Sequence, residues 1–439
     1  MSGNLQQQAL STETVAVVAA PVSARTGKPE EARPADLERQ MSVVVVRTLE
    51  DLQLHISAWQ RLADNALEPN FCYEPWALLP AVEAFGKEED LRFVFIYAPD
   101  PLRPFGEKML CGFFPLRRSR SYRNLPVATL SLWKHIYCVL CTPLIRKDVA
   151  GDCLRLFFDW LQSAGSESKL MEFCHIAADG AFYQLLIDEM NRRAALSHVD
   201  ERFNRALCKP HSHAPTFVEG ISGRHKKELR RKQNRLAEEG KIEFVALEKP
   251  EEISHWVEDF LRLEASGWKG SEKSAFASAE SDRRFFQSLI SGAFANQRLM
   301  MLALKLNGEP IAMKLNFVTG RGSFAFKIAF DESYARFSPG VLLEIENMQR
   351  FRQMPAVKWM DSCAVAEHFM INRLWTQRRT METLVVSTGK RFADLTVSVL
   401  PLFRWLRRKV SRTTKVQLRE PEKDKPQRHG DTETAQRRE

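Results

Sequence analysis

Apolar positions in this chain follow two periods: short runs suited to strands, and residues three or four apart suited to amphipathic helices. From Met41 onward, SVVVVRTL (42–49), DLRFVFIYA (90–98), KMLCGFFPLRRS (108–119) and LMEFCHIA (170–177) predict strands. EDLQLHISAWQRLADN (50–65), with Leu52, Ile56, Trp59 and Leu62 at core spacing, predicts a helix, as do DCLRLFFDWLQSA (152–164) and GAFYQLLIDEMNRRAA (180–195). FCYEPWALLPAVEAF (71–85) reads as a helix kinked or broken at Pro80. ATLSLWKHIYCVLCTPLI (128–145) reads as strand and loop, with YCVLCTPLI as a buried strand.

The same order returns in the second half. KIEFVALE (241–248) predicts a strand, EEISHWVEDFLRLEASGW (251–268) and DRRFFQSLISGAFA (282–295) predict helices, and residues 299–330 predict three strands, the first two joined at Asn307-Gly308. EDLQLHISAWQRLADN resembles EEISHWVEDFLRLEAS, and RFVFIYA with KMLCGFFPL resembles LMMLALKLNGEPIAMKL, a weak internal repeat offset by about two hundred residues. The expectation is an α/β fold with mixed (α+β) sheets: a module over 41–205, a linker over 206–240 and a second module over 241–410. Residues 1–40 and 411–439, polar and charged, read as a disordered arm and tail. The run VAVVAAPV in the arm has no basic leader and is too short to span a bilayer, so no signal peptide is expected.

Charge changes this picture in two places. Between Gly223 and Lys241 there are eight Lys/Arg against three Asp/Glu, and from Arg404 to Glu439 twelve against six, within a chain of net charge +9. The body is therefore near neutral, and basicity alone does not indicate nucleic acid. Helix 223–240, with Leu229 and Leu236 as its apolar anchors, is open to two readings: a solvated connector, or a face for RNA or an anionic substrate. The helical segment VLPLFRWLRRK (399–409) is likewise either a docked terminal helix or a peripheral membrane contact. The eight cysteines lack the spacing of a disulfide framework, which points to reduced thiols and a cytoplasmic location. Cys138 and Cys141 form a CxxC with no second pair at ligand spacing, so no metal is expected.

The chemistry concentrates between Gly322 and Cys363, read as strand GSFAFKIAF (322–330), loop DESYARFS (331–338), helix PGVLLEIENMQRF (339–351) and strand AVKWMDSC (356–363). Parallel strands joined through a helix bring the loop after the first strand and the end of the second to one rim of the sheet. Ser338-Pro339 suits a helix start, with Ser338 as cap. The amides of Gly340, Val341 and Leu342, with Arg336 beside them, suit a phosphate or pyrophosphate. Val341, Leu342, Ile345 and Met348 would face the sheet. MDSCAVAEHFMINRLW (360–375) then gathers Asp361, Ser362, Cys363, Glu367, His368, Asn372 and Trp375; Asp361 or His368 could accept a proton, while the bland alternatives are a turn cap for Asp361 and a backbone bond for His368.

The order KLNGEPIAMKLNF, FKIAFDESYARFSPGVLLEIENM, WMDSC and a Trp-containing segment resembles the GNAT-type acyltransferases of the CelD/BcsL group, related in fold to the FemAB peptidyltransferases with their two such modules. The resemblance spans roughly residues 41–400, and its most specific pieces are FDESYARFSPGVLL and the DSC…EH…W run. It implies tandem GNAT-like modules and an acyl-CoA donor, acetyl-CoA or longer, held at Arg336, Phe337, Ser338, Gly340, Val341 and Leu342. It also implies a small-molecule or saccharide acceptor near Lys327, Ser362, Cys363, Glu367, Asn372 and Trp375, with Asp361 or His368 as base and a link to polysaccharide or envelope synthesis. The FemAB likeness implies the alternative of a charged-tRNA donor, and a non-catalytic scaffold is a third reading. The turn reads ARFSPG where acetyltransferases commonly show Q/R-x-x-G-x-G/A. Glu367-His368 stands where many relatives carry Tyr-Lys.

Overall fold

The computed structural model describes residues 40–100, 108–209, 223–267, 275–366, 368–389 and 392–402. The expected arm apart from Gln40, residues 403–410, the whole expected tail and Glu367 lie outside these. The first half holds β1 (Ser42–Val46), α1 (Leu49–Gln53), α2 (Ile56–Asp64), α3 (Pro75–Phe85), β2 (Leu91–Pro99), β3 (Lys108–Ser119), β4 (Thr129–Leu132), β5 (Leu144–Ile145), α4 (Ala150–Gln162), β6 (Leu170–Ala177), α5 (Ala181–Arg192) and β7 (Ser197–Cys208). The second holds α6 (Gly223–Glu238), β8 (Ile242–Ala246), α7 (Ile253–Ser266), α8 (Glu280–Ala295), β9 (Leu299–Leu306), β10 (Glu309–Thr319), β11 (Gly322–Phe330), α9 (Pro339–Arg352), β12 (Trp359–Asp361), α10 (Phe369–Leu374) and β13 (Gln377–Ser387). Residues 392–402 form a last helix, α11. The described residues up to Val397 make one compact unit, and those from Ser398 belong to another.

In place of two sheets there is one, in the order β1-β2-β3-β4-β6-β13-β7-β12-β11-β10-β9-β8, with β5 beside β3. Its two ends mirror each other. Antiparallel pairs β1·β2, β2·β3 and β3·β4 lead to the parallel pair β4·β6. From the other end, antiparallel β8·β9, β9·β10 and β10·β11 lead to the parallel pair β11·β12. At the centre the final strands change sides: β13 pairs with β6 of the first half, β7 pairs with β12 of the second, and β7 and β13 pair with each other. The mixed sheet flanked by helices is as expected; its continuity is not. Sequence reading missed β7 because Asp200, Glu201, Arg202, Asn204 and Arg205 hide its period, although its last four residues are buried.

Other departures have local causes. Only Leu144–Ile145 of YCVLCTPLI is strand. The segment before it is a buried loop whose carbonyls at Leu140 and Thr142 accept hydrogen bonds from the Asn70 side chain, so its backbone is satisfied without a ladder. Cys138 and Cys141 lie in that loop, and all eight cysteines are free thiols. Helix α3 continues through Pro80. Proline cannot donate to the carbonyl four residues earlier. That carbonyl, on Trp76, lies against Gly292 of α8, where an added Cβ would sit 3.1 Å from it. The missing side chain lets α3 and α8 approach.

One hydrophobic core crosses the two halves: Phe71 meets Phe317, Phe324 and Phe326 with ring centroids 4.6 to 5.7 Å apart. His135 stacks on Phe85 of α3 at 5.4 Å and meets Phe285 of α8 at 5.5 Å. Burial lowers its pKa to about 4 from the usual 6.5. The unfolded chain therefore takes up this proton first as pH falls, and stability is lost between pH 6.5 and about 4. The shift corresponds to about 3 kcal/mol. Urea unfolding of His135→Phe at neutral pH and near the lower limit should show a smaller acid loss than the parent chain; an unchanged loss would mean that other groups carry it.

Candidate active site

The chemistry-bearing residues gather where β11 and β12 part. The strands pair over Gly322–Trp359, Ser323–Met360 and Phe324–Asp361, and then β12 ends. Cys363, at φ 54°, turns the chain away in a left-handed conformation. Residues 325–330 of β11 have no strand partner on that side among the described residues, which leaves an edge of backbone donors and acceptors. A bulge sits at the same level: β10 advances from Leu315 to Phe317 while β11 advances from Phe324 to Lys327. The extra residue puts Phe326 and Lys327 on one face, where both meet the ring of Phe276, at 6.5 Å between centroids and 4.8 Å from the ammonium. Tyr137 reaches the same place from the first half, with Lys327 Nζ 5.3 Å from its ring and its hydroxyl donating to Asp282 at 2.6 Å. Burial, together with that acceptor, raises the Tyr137 pKa. Glu264 lies 3.7 Å from Lys327.

Asp361 is fully buried beside the parting point. One oxygen lies 2.7 Å from Arg205 Nε and accepts from the Cys363 amide at 2.9 Å. The other accepts from Arg205 Nη2 at 2.8 Å and from Arg379 Nη1 at 3.2 Å. Arg379 also pairs with Asp179 at 3.2 Å, and Arg205 donates to the Val139 carbonyl. Burial opposes the charge on Arg205, but Asp361 outweighs it and raises the guanidinium pKa. Burial first, and then the Asp361 charge, push the Cys363 thiol well above the ordinary cysteine range, which disfavours a thiolate.

The turn before α9 keeps a glycine-like backbone without glycine: Ser338 stands at φ 56°, ψ 53°. Its side chain caps nothing, contrary to expectation, because its hydroxyl instead accepts from Lys232 of α6 at 2.8 Å. Of the three amides expected to greet a phosphate, those of Val341 and Leu342 donate to the Ser338 carbonyl at 3.0 and 3.1 Å. A Cβ on Gly340 would meet Phe330 at 3.4 Å, an ordinary contact. Arg336 pairs with Glu239 at 2.8 Å and lies 4.6 Å over Phe337, which is buried. A groove of about 610 Å³ runs between α6 and α9, with Lys226 and Arg230 on one wall, Phe244, Leu342 and Ile345 among its apolar residues, and Glu346 on α9.

The remaining expected residues are scattered in role. His368 caps α10, its Nδ1 accepting from the Ile371 amide at 3.4 Å. Asn372 donates to the Ala366 carbonyl at 2.6 Å, and the Ser362 hydroxyl accepts from the Ala364 amide. Trp375 is core, clustered with Met348 and Met360. The buried side of α9 differs from the expected stripe: Val341 and Ile345 are half-buried, while Glu344 and Asn347 are wholly buried. Glu344 pairs with Lys314 of β10 at 2.7 Å, and Asn347 bonds to Glu344 and to Asn316. Sequence reading missed this network and the two arginines around Asp361. The available signal was polar residues inside apolar strands, as in IAMKLNF.

Residues 223–369 match a protein-family model described as an acetyltransferase (GNAT) domain. No curated protein matches the sequence. Among solved structures, the chain is similar to FemX, at 8% identity over 75% of this chain and 95% of that one, with a TM-score of 0.49. It is similar to the C-terminal domain of a putative lysylphosphatidylglycerol synthetase from Agrobacterium fabrum, at 14% identity over 66% and 85%, TM-score 0.41. A tandem GNAT protein from the clavulanic acid biosynthesis pathway aligns at 11% identity over 80% and 99%, TM-score 0.38. The mixed sheet and the family match support a GNAT acetyltransferase-like fold.

Replacing Asp361 by Ala leaves Arg205 buried without its carboxylate, so the variant should lose about 3–5 kcal/mol of stability. Chemical denaturation measures this; a loss below about 1 kcal/mol would show that the ion cluster does not hold the seam. Ser338→Val puts a β-branched side chain at positive φ and should cost about 1–3 kcal/mol, read the same way.

Proposed function

We propose that this chain is an acyltransferase that takes an acetyl or longer acyl group from acyl-CoA and passes it to the nitrogen or oxygen of a small-molecule or saccharide acceptor. The observation that carries the reading is the opening between β11 and β12, followed at once by the Ser338 turn and α9, inside the segment that matches an acetyltransferase domain. A bound acyl-CoA supplies an activated thioester carbonyl. The edge of β11 beyond its pairing with β12 would hold an extended amide-bearing arm as an added strand does. Arg336 and the positive end of α9 would meet the pyrophosphate, and Lys226 and Arg230 would offer charge for the remaining phosphate. Backbone donors at the opening would polarise the carbonyl, so most of the rate would come from positioning and oxyanion stabilisation.

On the acceptor side we place Lys327, Tyr137, Asp282 and Glu264. Asp361 already accepts from two arginines and an amide, so we assign it to positioning the strand ends. We assign proton removal to His368, the other candidate base, whose Nδ1 accepts from the Ile371 amide. The mirrored strand order favours reading the halves as two GNAT-like modules with exchanged final strands, the first shaping the acceptor side. A second reading, an aminoacyl-tRNA donor, draws on Arg224, Lys227, Arg230, Arg231 and Arg235, all exposed on α6.

Isothermal titration with acetyl-CoA and a longer acyl-CoA should show saturable binding, weakened at least about tenfold, or 1.4 kcal/mol, in Lys226→Glu/Arg336→Glu. Absence of binding by both ligands overturns the proposal. Steeply salt-dependent tRNA binding, removed when Arg230, Arg231 and Lys232 are neutralised, would select the second reading instead.

A further inference from the structure

We propose that Cys138 and Cys141 form a redox modification site, a dithiol that a hydroperoxide closes to a disulfide, and that closure draws Tyr137 away from Lys327. The bond is a property separate from the acyl-transfer reading; only its effect on catalysis would rest on that reading. The two Sγ atoms lie 3.7 Å apart. A disulfide needs about 2 Å, and the chain can close that gap because residues 138–141 belong to no helix or strand.

The two ends of this loop are held unequally. On the Cys141 side, the Asn70 amide donates to the Leu140 and Thr142 carbonyls at 3.2 and 2.8 Å, and the Cys141 amide donates to the His175 carbonyl at 3.2 Å. On the other side the Cys138 amide closes a turn onto the His135 carbonyl at 2.9 Å, and Ile136 within that turn is 73% exposed. The yielding end is therefore Cys138, and its chain neighbours move with it. The Tyr137 ring stands 5.3 Å from the Lys327 ammonium, and its hydroxyl donates to Asp282. The Val139 carbonyl accepts from Arg205 at 2.7 Å, so the loop touches the strand seam as well.

Cys138 keeps 4% of its surface open beside that exposed turn, which admits a small oxidant. Burial opposes the Cys141 thiolate, but hydrogen bonds, first among them the one with Cys138, outweigh it and hold its pKa well below the ordinary cysteine range. Cys141 is thus the attacking thiol. Its sulfur takes one oxygen of the hydroperoxide as the O–O bond breaks, giving a sulfenic acid and releasing water or an alcohol. The Cys138 sulfur then attacks the sulfenic sulfur, the S–S bond forms, and the sulfenic oxygen leaves as a water that carries the Cys138 proton. Two electrons pass from the sulfurs to the peroxide. Cys174 is directed elsewhere, its thiol donating to the Leu132 carbonyl at 2.9 Å.

The test is treatment of the folded full chain with hydrogen peroxide, followed by intact-mass measurement, disulfide mapping after alkylation and proteolysis, and hydrogen–deuterium exchange. The expected result is a mass lower by two hydrogens, a bond mapped to Cys138 and Cys141, its reversal by dithiothreitol, and faster exchange in the oxidised chain at Tyr137–Cys141 and around Asp282. The mass loss should disappear in Cys138→Ser and in Cys141→Ser and persist in Cys174→Ser. Mapping is done on the parent chain, so the test stands even where a serine variant fails to fold. Retention of all eight thiols after peroxide, a bond mapped to any other pair, or the expected bond with unchanged exchange at Tyr137 would each overturn the proposal.

Discussion

The buried contact of Asp361 with Arg205 and Arg379 constrains much of what surrounds it. These residues stand on β12, β7 and β13, the strands through which the halves of the sheet are joined. Two guanidiniums taken out of water require compensating charge, and Asp361 with Asp179 supplies it. The cluster therefore disfavours arrangements in which either final strand returns to its own half. Because the same carboxylate holds the Cys363 amide, it also sets where β12 stops and hence where the opening beside β11 begins.

From that point the site follows by geometry. A strand that loses its neighbour exposes a backbone edge, and the bulge at the same level turns Lys327 onto the face that Tyr137 reaches from the other half. On the opposite face, α6 is tied to the Ser338 turn by Lys232 and anchored by Leu236 in the cluster with Phe337 and Leu342. The basic helix is thus one wall of the groove beside α9 as well as a connector. Its position depends on a few contacts, while its outward charges remain in solvent.

Much of the fold was legible in the sequence. Strands β1, β2, β3, β6 and β9 to β11, the Asn307-Gly308 turn and the helices around them follow from apolar period and turn chemistry, which act over a few residues. The crossover from β11 through α9 to β12 was also readable, because its parallel sense follows from the helix between the strands. Less of the site was readable. Asp361 stood out as a carboxylate at a strand end, but its partners lie 156 and 18 residues away, one of them on a strand with no clear apolar period. Trp375 looked available and is core, since a short helix shows no period long enough to give its buried side.

By itself, then, the sequence determined the types of most elements, the repeat of their order, the near-neutral body with two basic segments and the crossover at residues 322–363, all consequences of short-range sterics and patterning. Tertiary structure decided that the halves share one sheet, because strand exchange depends on which edges meet and carries no local signal. It also gave Asp361 two arginine partners, used the Ser338 hydroxyl to hold α6, and placed Lys314 with Glu344 beneath α9. Each of these satisfies a buried charge or polar group with a partner remote in the chain, and burial is a property of the assembled fold rather than of any segment.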